Sequence, residues 1–206
     1  IVISHISAEA TNFAKVYCVT PAAAIFVVIY AMMVNRMSHE KIFYYLLIVF
    51  ISFFTIFAFI IYPNIEFFHP DAEMINALML EYPHIKWYVA LVGNWSYIIF
   101  YVLAELWPNV FYILLFWQLA NDITEVSEAK RFYTLFALFG NSSLILVGLM
   151  IMNLASDDSY LQIYFSDIKN DIFLVQASTL ILILMSIISL LMVRFIHKNV
   201  VTDPSL

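Results

Sequence analysis

From Trp87 to Asn121 the chain is almost continuously apolar, yet it carries Asn94, Glu105 and Asn109. A carboxylate in the middle of such a run costs several kcal/mol or more in a bilayer, so it normally faces a wet path or a partner. Glu105 is therefore a candidate functional residue. The stretch is too long for one perpendicular crossing. At about 1.5 Å per residue it exceeds roughly 50 Å, against a hydrocarbon core of ~30 Å. Splitting it at Pro108 leaves only about a dozen residues beyond, too few to cross again. The expectation is one long helix, kinked at Pro108, whose last turns leave the membrane. Pro108 has no N–H and its ring crowds the carbonyl of Ala104. That frees a backbone acceptor beside Glu105, and an unsatisfied carbonyl at this depth requires water, a side chain or a ligand.

The rest of the chain has the same character. Hydrophobic residues make up 64% and charged residues 12%, where a soluble domain has about 45–50% and ~25%. With a mean hydropathy of +0.92 and repeated apolar runs of about 20 residues, the class is an all-α, polytopic membrane protein. The single cysteine, Cys18, excludes a disulfide framework and a cysteine-based metal cluster within one copy. A net charge of −6 without a basic cluster does not suggest nucleic acid as a partner, and none is expected. No phosphate-cradling Gly-rich loop, metal-spaced His pair or nucleophile elbow is present. Neither an enzyme nor a cofactor is expected. The opening at Ile1 and the polar close HKNVVTDPSL lead to the expectation that the sequence is part of a longer protein.

Five spans are expected within one transmembrane domain over residues 1–206. They run over about 15–34, 42–62, 87–119, 132–154 and 172–196. Pro21 predicts a bend in the first. Between the second and third, Met74, Ile75, Leu78, Met79 and Tyr82 fall on one face of an amphipathic helix that opens at His69-Pro70-Asp71. Such a helix lies in the membrane interface. Thr124, Ser127 and Glu128 suit a capped start to the fourth span. Gly140-Asn141-Ser142-Ser143 and Gly148 allow close helix contact and bonds across to neighbours. In the fifth, Ser178 and Thr179 are expected to bond back to their own helix. Arg36, Lys41, Lys130, Arg131, Arg194 and Lys198 gather on one side, against Lys15, Lys86 and Lys169 on the other. Basic residues favour the cytoplasmic side, so Ile1 is expected outside and Leu206 inside.

Advancing each residue by about 100° places Asn94, Tyr97, Tyr101, Glu105, Asn109 and Tyr112 on one arc of the central helix, with Gln118 opposite. Amides, phenols and one carboxylate suit a solute with a flat ring and polar groups. The plain alternative is a polar seam between packed helices with Glu105 ion-paired. Lys15, by position alone, reads as a lysine snorkelling to headgroups; the other reading is a cavity-facing ammonium that meets an anionic solute or Glu105. Lys130 and Arg131, just past the cytoplasmic end of the central helix, suit a gate or attraction of an anion. The positive-inside bias explains them equally well.

Several stretches carry a resemblance: FAKVYCVTP (13–21), HPDAE (69–73), AELW (104–107), LLFWQLAN (114–121), the IT at 123–124, EAKRFYTLFAL (128–138) and KNVVTDP (198–204). In this order they resemble the non-mitochondrial ATP/ADP translocases, the nucleotide transporters of obligate intracellular bacteria and plastids, and within them the rickettsial paralogues. The resemblance implies a major-facilitator-type transporter of about twelve helices built from repeats, of which this chain would be helices two to six. The first helix and the C-terminal half of the transporter would then be its intramolecular partners. It implies antiport of ATP for ADP, or of another nucleotide, across a bacterial inner membrane. The family's transport-critical lysine and glutamate fall on Lys15 and Glu105, which moves Lys15 from snorkeller to site residue. Family members commonly have glycine where this chain has Pro108. The competing expectation is a non-transporting membrane subunit or degenerate paralogue, with Glu105 in a structural ion pair.

Overall fold

The structure, a computed structural model, describes residues 8–124, 126–154 and 170–201. All the regular structure in these residues is helical, and five helices are long and apolar enough to cross a membrane. They run Glu9–Val34, His39–Phe68, Trp95–Asn121, Glu128–Asn153 and Asp171–Asn199. The expected loop over 155–169, the cap involving Ser127, and the two ends of the chain lie outside the described residues.

The chain divides into two compact units, Ile1–Leu114 and Leu115–Leu206. In the first, the second and third spans meet through stacked and edge-on rings. Phe57 lies on Phe100 with centroids 4.4 Å apart, Phe50 and Phe54 both reach Trp107, and Phe43 and Phe50 reach Phe111. Lipid tails are as apolar as these side chains, so helix association in a membrane rests on close packing. Each aromatic pair contributes roughly 0.5–1.5 kcal/mol beyond its area. Ile42, Phe50, Phe54 and Phe57 are correspondingly buried.

The central stretch is not one helix. A short helix, Lys86–Gly93, stops at Asn94 (φ −111°, ψ 36°), and a new helix begins at Trp95. Asn94 donates from both its main-chain N–H and its side-chain amide to the carbonyl of Ala90. An asparagine that bonds its own backbone competes with continuation of the helix. The expected single span from Trp87 is corrected accordingly: the long apolar helix starts at Trp95. The Lys86–Gly93 segment packs instead on the amphipathic helix Ala72–Glu81. That helix is capped by Asp71, whose carboxylate accepts from the N–H of Glu73 at 3.2 Å. Of its apolar face Ile75 is buried, while Met74 and Tyr82 stay exposed.

Each of the first three spans contains a π-helical segment beside a proline. Lys15–Val19 ends two residues before Pro21, Phe57–Ile61 ends two residues before Pro63, and Asn109–Phe116 follows Pro108 directly. Proline lacks the donor that closes the ordinary i→i−4 ring and clashes with that carbonyl. A wider i→i−5 turn accommodates it. The N–H of Thr20 bonds the carbonyl of Lys15, and that of Tyr62 the carbonyl of Phe57, each five residues back.

In the second unit, Phe116 meets Phe136 edge-on, Trp117 meets Tyr133, and the Tyr133 hydroxyl donates to Asn121. The fourth and fifth spans touch. Ser142 and Ser143 donate to carbonyls of their own helix, and a Cβ added at Gly148 would meet nothing within 4 Å. In the fifth, Thr179 bonds back to Val175.

Candidate functional site

The π segment Lys15–Val19 lies against the helix Trp95–Pro108. This contact brings Lys15 and Glu105, ninety residues apart in sequence, to an Nζ–Oε1 distance of 3.8 Å. Tyr101, one turn before Glu105, lies close enough to interact with the same carboxylate. The side chains of Lys15 and Glu105 are 60% and 34% exposed, so the pair is open and not sealed in a dry seam. Energetics restrict what can lie in front of it. An open pair in water contributes about 0–1 kcal/mol. The same two charges placed in hydrocarbon each cost several kcal/mol after relaxation. An open, loosely spaced pair within two membrane spans is therefore tolerated only where water, further protein or a polar solute faces it.

The backbone beneath the pair is unusual on both sides. Thr20 donates its hydroxyl to the carbonyl of Lys15 at 3.0 Å. Asn109 donates its side-chain amide to the carbonyl of Glu105 at 2.8 Å, while its own N–H goes to Leu106. The acceptor that draws a side-chain donor beside Pro108 is thus Glu105's own carbonyl, one residue on from the Ala104 carbonyl that the sequence singles out.

The expected polar stripe is only partly assembled. Lys15, Tyr101 and Glu105 come together, and Asn109 attaches to Glu105 through the main chain. Tyr97 is buried against other rings: His69 lies edge-on at 5.0 Å and Tyr62 at 6.1 Å. Asn94 caps the preceding helix. Tyr112 lies within the π segment and is exposed. Lys130 and Arg131 belong to the second unit, near the head of the helix Val126–Leu154, where both are exposed and Arg131 lies over the ring of Phe132 at 5.6 Å. Among the described residues, no group of three His, Cys, Asp or Glu side chains gathers as a metal site would require.

The sequence reading passed over one anchor. Trp95 donates its indole N–H to the carbonyl of Phe68 at 3.0 Å, and His69 is 2.7 Å from the hydroxyl of buried Ser96. These bonds pin the end of the second span to the start of the third. The signal in the sequence is the HPDAE stretch, whose His69 sits at the start of the amphipathic helix.

Taken together, the residues describe a multi-pass helical membrane protein with an open ion pair between two of its spans. The profile of the TLC ATP/ADP transporter family matches residues 1–206. The chain belongs to that family. It is 60% identical over 204 residues to "ADP,ATP carrier protein 5" of Rickettsia felis (strain ATCC VR-1525 / URRWXCal2), covering 99% of this chain and 41% of that relative. It is 59% identical over 204 residues to the protein of the same name in Rickettsia prowazekii (strain Madrid E), with the same coverage. "ADP,ATP carrier protein 1" of Rickettsia bellii (strain RML369-C) is 40% identical over 205 residues, covering 100% of this chain and 40% of the relative. The chain thus spans about 41% of the length of the first of these relatives. No solved structure gave a significant match.

Proposed function

We propose that this chain forms part of a nucleotide antiporter that exchanges ATP for ADP, or another nucleoside di- or triphosphate, by alternating access. Family membership and the names of the relatives support the class of cargo. The observation that carries the reading is the Lys15–Glu105 pair, open at 3.8 Å and set between two spans. An ammonium held loosely by a carboxylate can exchange that partner for a phosphate oxygen. In the empty carrier Glu105 neutralises Lys15. When nucleotide arrives, its phosphate takes the ammonium, and Glu105 is released toward Tyr101. The two arrangements differ in which spans are tied together, and that differential contact is what a ligand needs to shift a conformational equilibrium.

The substrate-contacting set in this reading is Lys15, Tyr101 and Glu105. Asn94, Tyr97 and Asn109 are engaged in the bonds and ring contacts described above and contribute by shaping the helix that carries the set. Lys130 and Arg131 serve the cytoplasmic mouth, in the orientation with Ile1 outside and Leu206 inside a bacterial inner membrane. The positive-inside bias supports that orientation. The rest of the cavity wall is supplied by the missing parts of the same transporter.

The test is uptake of radiolabelled ATP into proteoliposomes preloaded with ADP, with full-length protein. Glu105→Gln and Lys15→Gln should each lower exchange at least tenfold, and Lys15→Arg should retain more activity than Lys15→Gln. Exchange unchanged by both glutamine variants would remove the assigned role.

A further inference from the structure

The two members of the ion pair share a feature that none of their neighbours requires. The main-chain carbonyl of each is held by a polar side chain next to a proline. Thr20 precedes Pro21 and holds the carbonyl of Lys15; Asn109 follows Pro108 and holds the carbonyl of Glu105. At Pro21 the helix has widened, so that Thr20 reaches five residues back with both its N–H and its hydroxyl. At Pro108 the N–H of Asn109 has tightened onto Leu106, and its side-chain amide takes the carbonyl that the N–H gives up.

The same device recurs among the described residues outside the ion pair. Asn64 follows Pro63 and donates its side-chain amide to the carbonyl of Ile60 at 2.8 Å. It is therefore a general remedy for a proline gap in this fold. What distinguishes the other two instances is whose carbonyl is held. We propose that Thr20 and Asn109 are positioning residues for the Lys15–Glu105 pair: they hold the proline-generated irregularities in the one register that points the ammonium at the carboxylate. This rests on the nucleotide-antiport reading only for its consequence in transport; the geometric claim stands without it.

The physical link is azimuth. A π turn holds one residue more than an α turn, and one residue is about 100° of rotation. Were the Lys15–Val19 segment to return to α register, Lys15 would rotate by about that angle relative to the span beyond Thr20. A lysine turned by 100° no longer faces a carboxylate on the neighbouring helix. The hydroxyl of Thr20 opposes this return, because it rewards the i→i−5 turn with a second bond to Lys15. Asn109 acts in the same way on the far side. It supplies the Glu105 carbonyl with a donor in place of its own N–H, which goes to Leu106, and so fixes the last α turn before the π segment begins. Where no proline alters the register, hydroxyls bond back four residues, as Thr55 does to Ile51 and Thr179 to Val175, or three, as Ser143 does to Gly140.

The experiment reads the distance between positions 15 and 105 directly. Full-length protein carrying Lys15→Cys and Glu105→Cys, in a cysteine-free background that includes Cys18→Ala, is treated in membranes with a short bifunctional methanethiosulfonate and no nucleotide. Adding Thr20→Val or Asn109→Leu should slow cross-linking at least fivefold. Adding Thr20→Ser, which keeps the donor, should restore it to within twofold, and Asn64→Leu should leave it unchanged. In the otherwise unaltered protein, Thr20→Val should raise the KM for nucleotide more than it lowers the maximal rate. Cross-linking slowed no more by Thr20→Val and Asn109→Leu than by Asn64→Leu would overturn the proposal. Because the cross-link needs no cargo, that result is distinguishable from a failure of nucleotide exchange.

Discussion

Gly93 offers the sharpest test of the packing that surrounds the site. A Cβ placed on it would lie 2.7 Å from Cδ1, 2.8 Å from Cγ1 and 3.2 Å from Cγ2 of Ile75. All three atoms belong to one β-branched side chain, which has little rotameric freedom in a helix. Ile75 must therefore move as a whole, or the amphipathic helix must lift from the Lys86–Gly93 segment. Overpacking of this kind costs about 1–3 kcal/mol. Two effects oppose it. Replacing glycine by alanine favours a helix by up to ~1 kcal/mol, and a cavity of 360 Å³ lined by Met74, Ile75, Leu78, Val89, Val92 and Gly93 gives Ile75 somewhere to go. The single variant Gly93→Ala is thus expected to be destabilised by only about 0–2 kcal/mol, a poor discriminator. The coupling with Ile75→Ala is a good one. In the Ile75→Ala background all three clashing atoms are gone, so Gly93→Ala should be neutral or stabilising there. The coupling energy is then the clash itself, about 1–3 kcal/mol. The assay is a double-mutant cycle on full-length protein, unfolded reversibly by SDS in mixed micelles. A coupling below about 0.5 kcal/mol, the scatter expected of independent sites, would refute the close approach of these two helices.

Two further outcomes follow from the described contacts. The reversals Lys15→Glu and Glu105→Lys should each abolish nucleotide exchange, and the double reversal should recover a measurable fraction of it, read as uptake into preloaded proteoliposomes. Trp95→Phe keeps the ring but removes the donor to the Phe68 carbonyl. At about 1 kcal/mol for the lost bond, limited proteolysis within residues 63–85 should proceed several-fold faster than in wild type, with the cleavage sites unchanged.

Much of the architecture follows from the sequence because a bilayer admits so few solutions. A run of about 20 apolar residues has to be helical there, since no other single-segment structure satisfies its own backbone. Glu105 was visible for the same reason, as an acid in the middle of such a run. Lys15 was not visible from position, because its partner is ninety residues away and a lysine near a helix end ordinarily snorkels. The resemblance to a family points to it, and the 3.8 Å contact sets it beside Glu105. At the two ends of the polar stripe the helix departs from regular α geometry. The stripe's arc assumes an unbroken α-helix from Asn94 to Tyr112. Asn94 instead ends a helix by bonding Ala90, and the π segment after Pro108 shifts the phase of each later residue. Tyr97 fell on the expected arc, yet the ring contacts of Tyr62 and His69 claim it, and both are distant in sequence. Prolines announce where a helix will deviate. They do not say whether the chain answers with a kink, a break or a wider turn.

That indeterminacy bears on the pair itself. Lys15 is the first residue of one π segment, and Glu105 stands four residues before another, which also contains the boundary between the two compact units. Both charges are thus mounted where the i→i−4 ladder is already interrupted. A helix bends most readily at such points, because fewer backbone bonds must be given up. Placing a charge there has a cost, since an irregular backbone at membrane depth needs extra donors. Thr20 and Asn109 provide them. The arrangement combines a precise rest position, held by side-chain bonds to each member's own carbonyl, with flanking segments that need not stay straight. A regular helix would hold the same two charges more rigidly but would couple their separation to nothing. Here the separation is tied to the register of two turns, so any ligand that takes the ammonium from the carboxylate also removes a restraint on how those turns are wound.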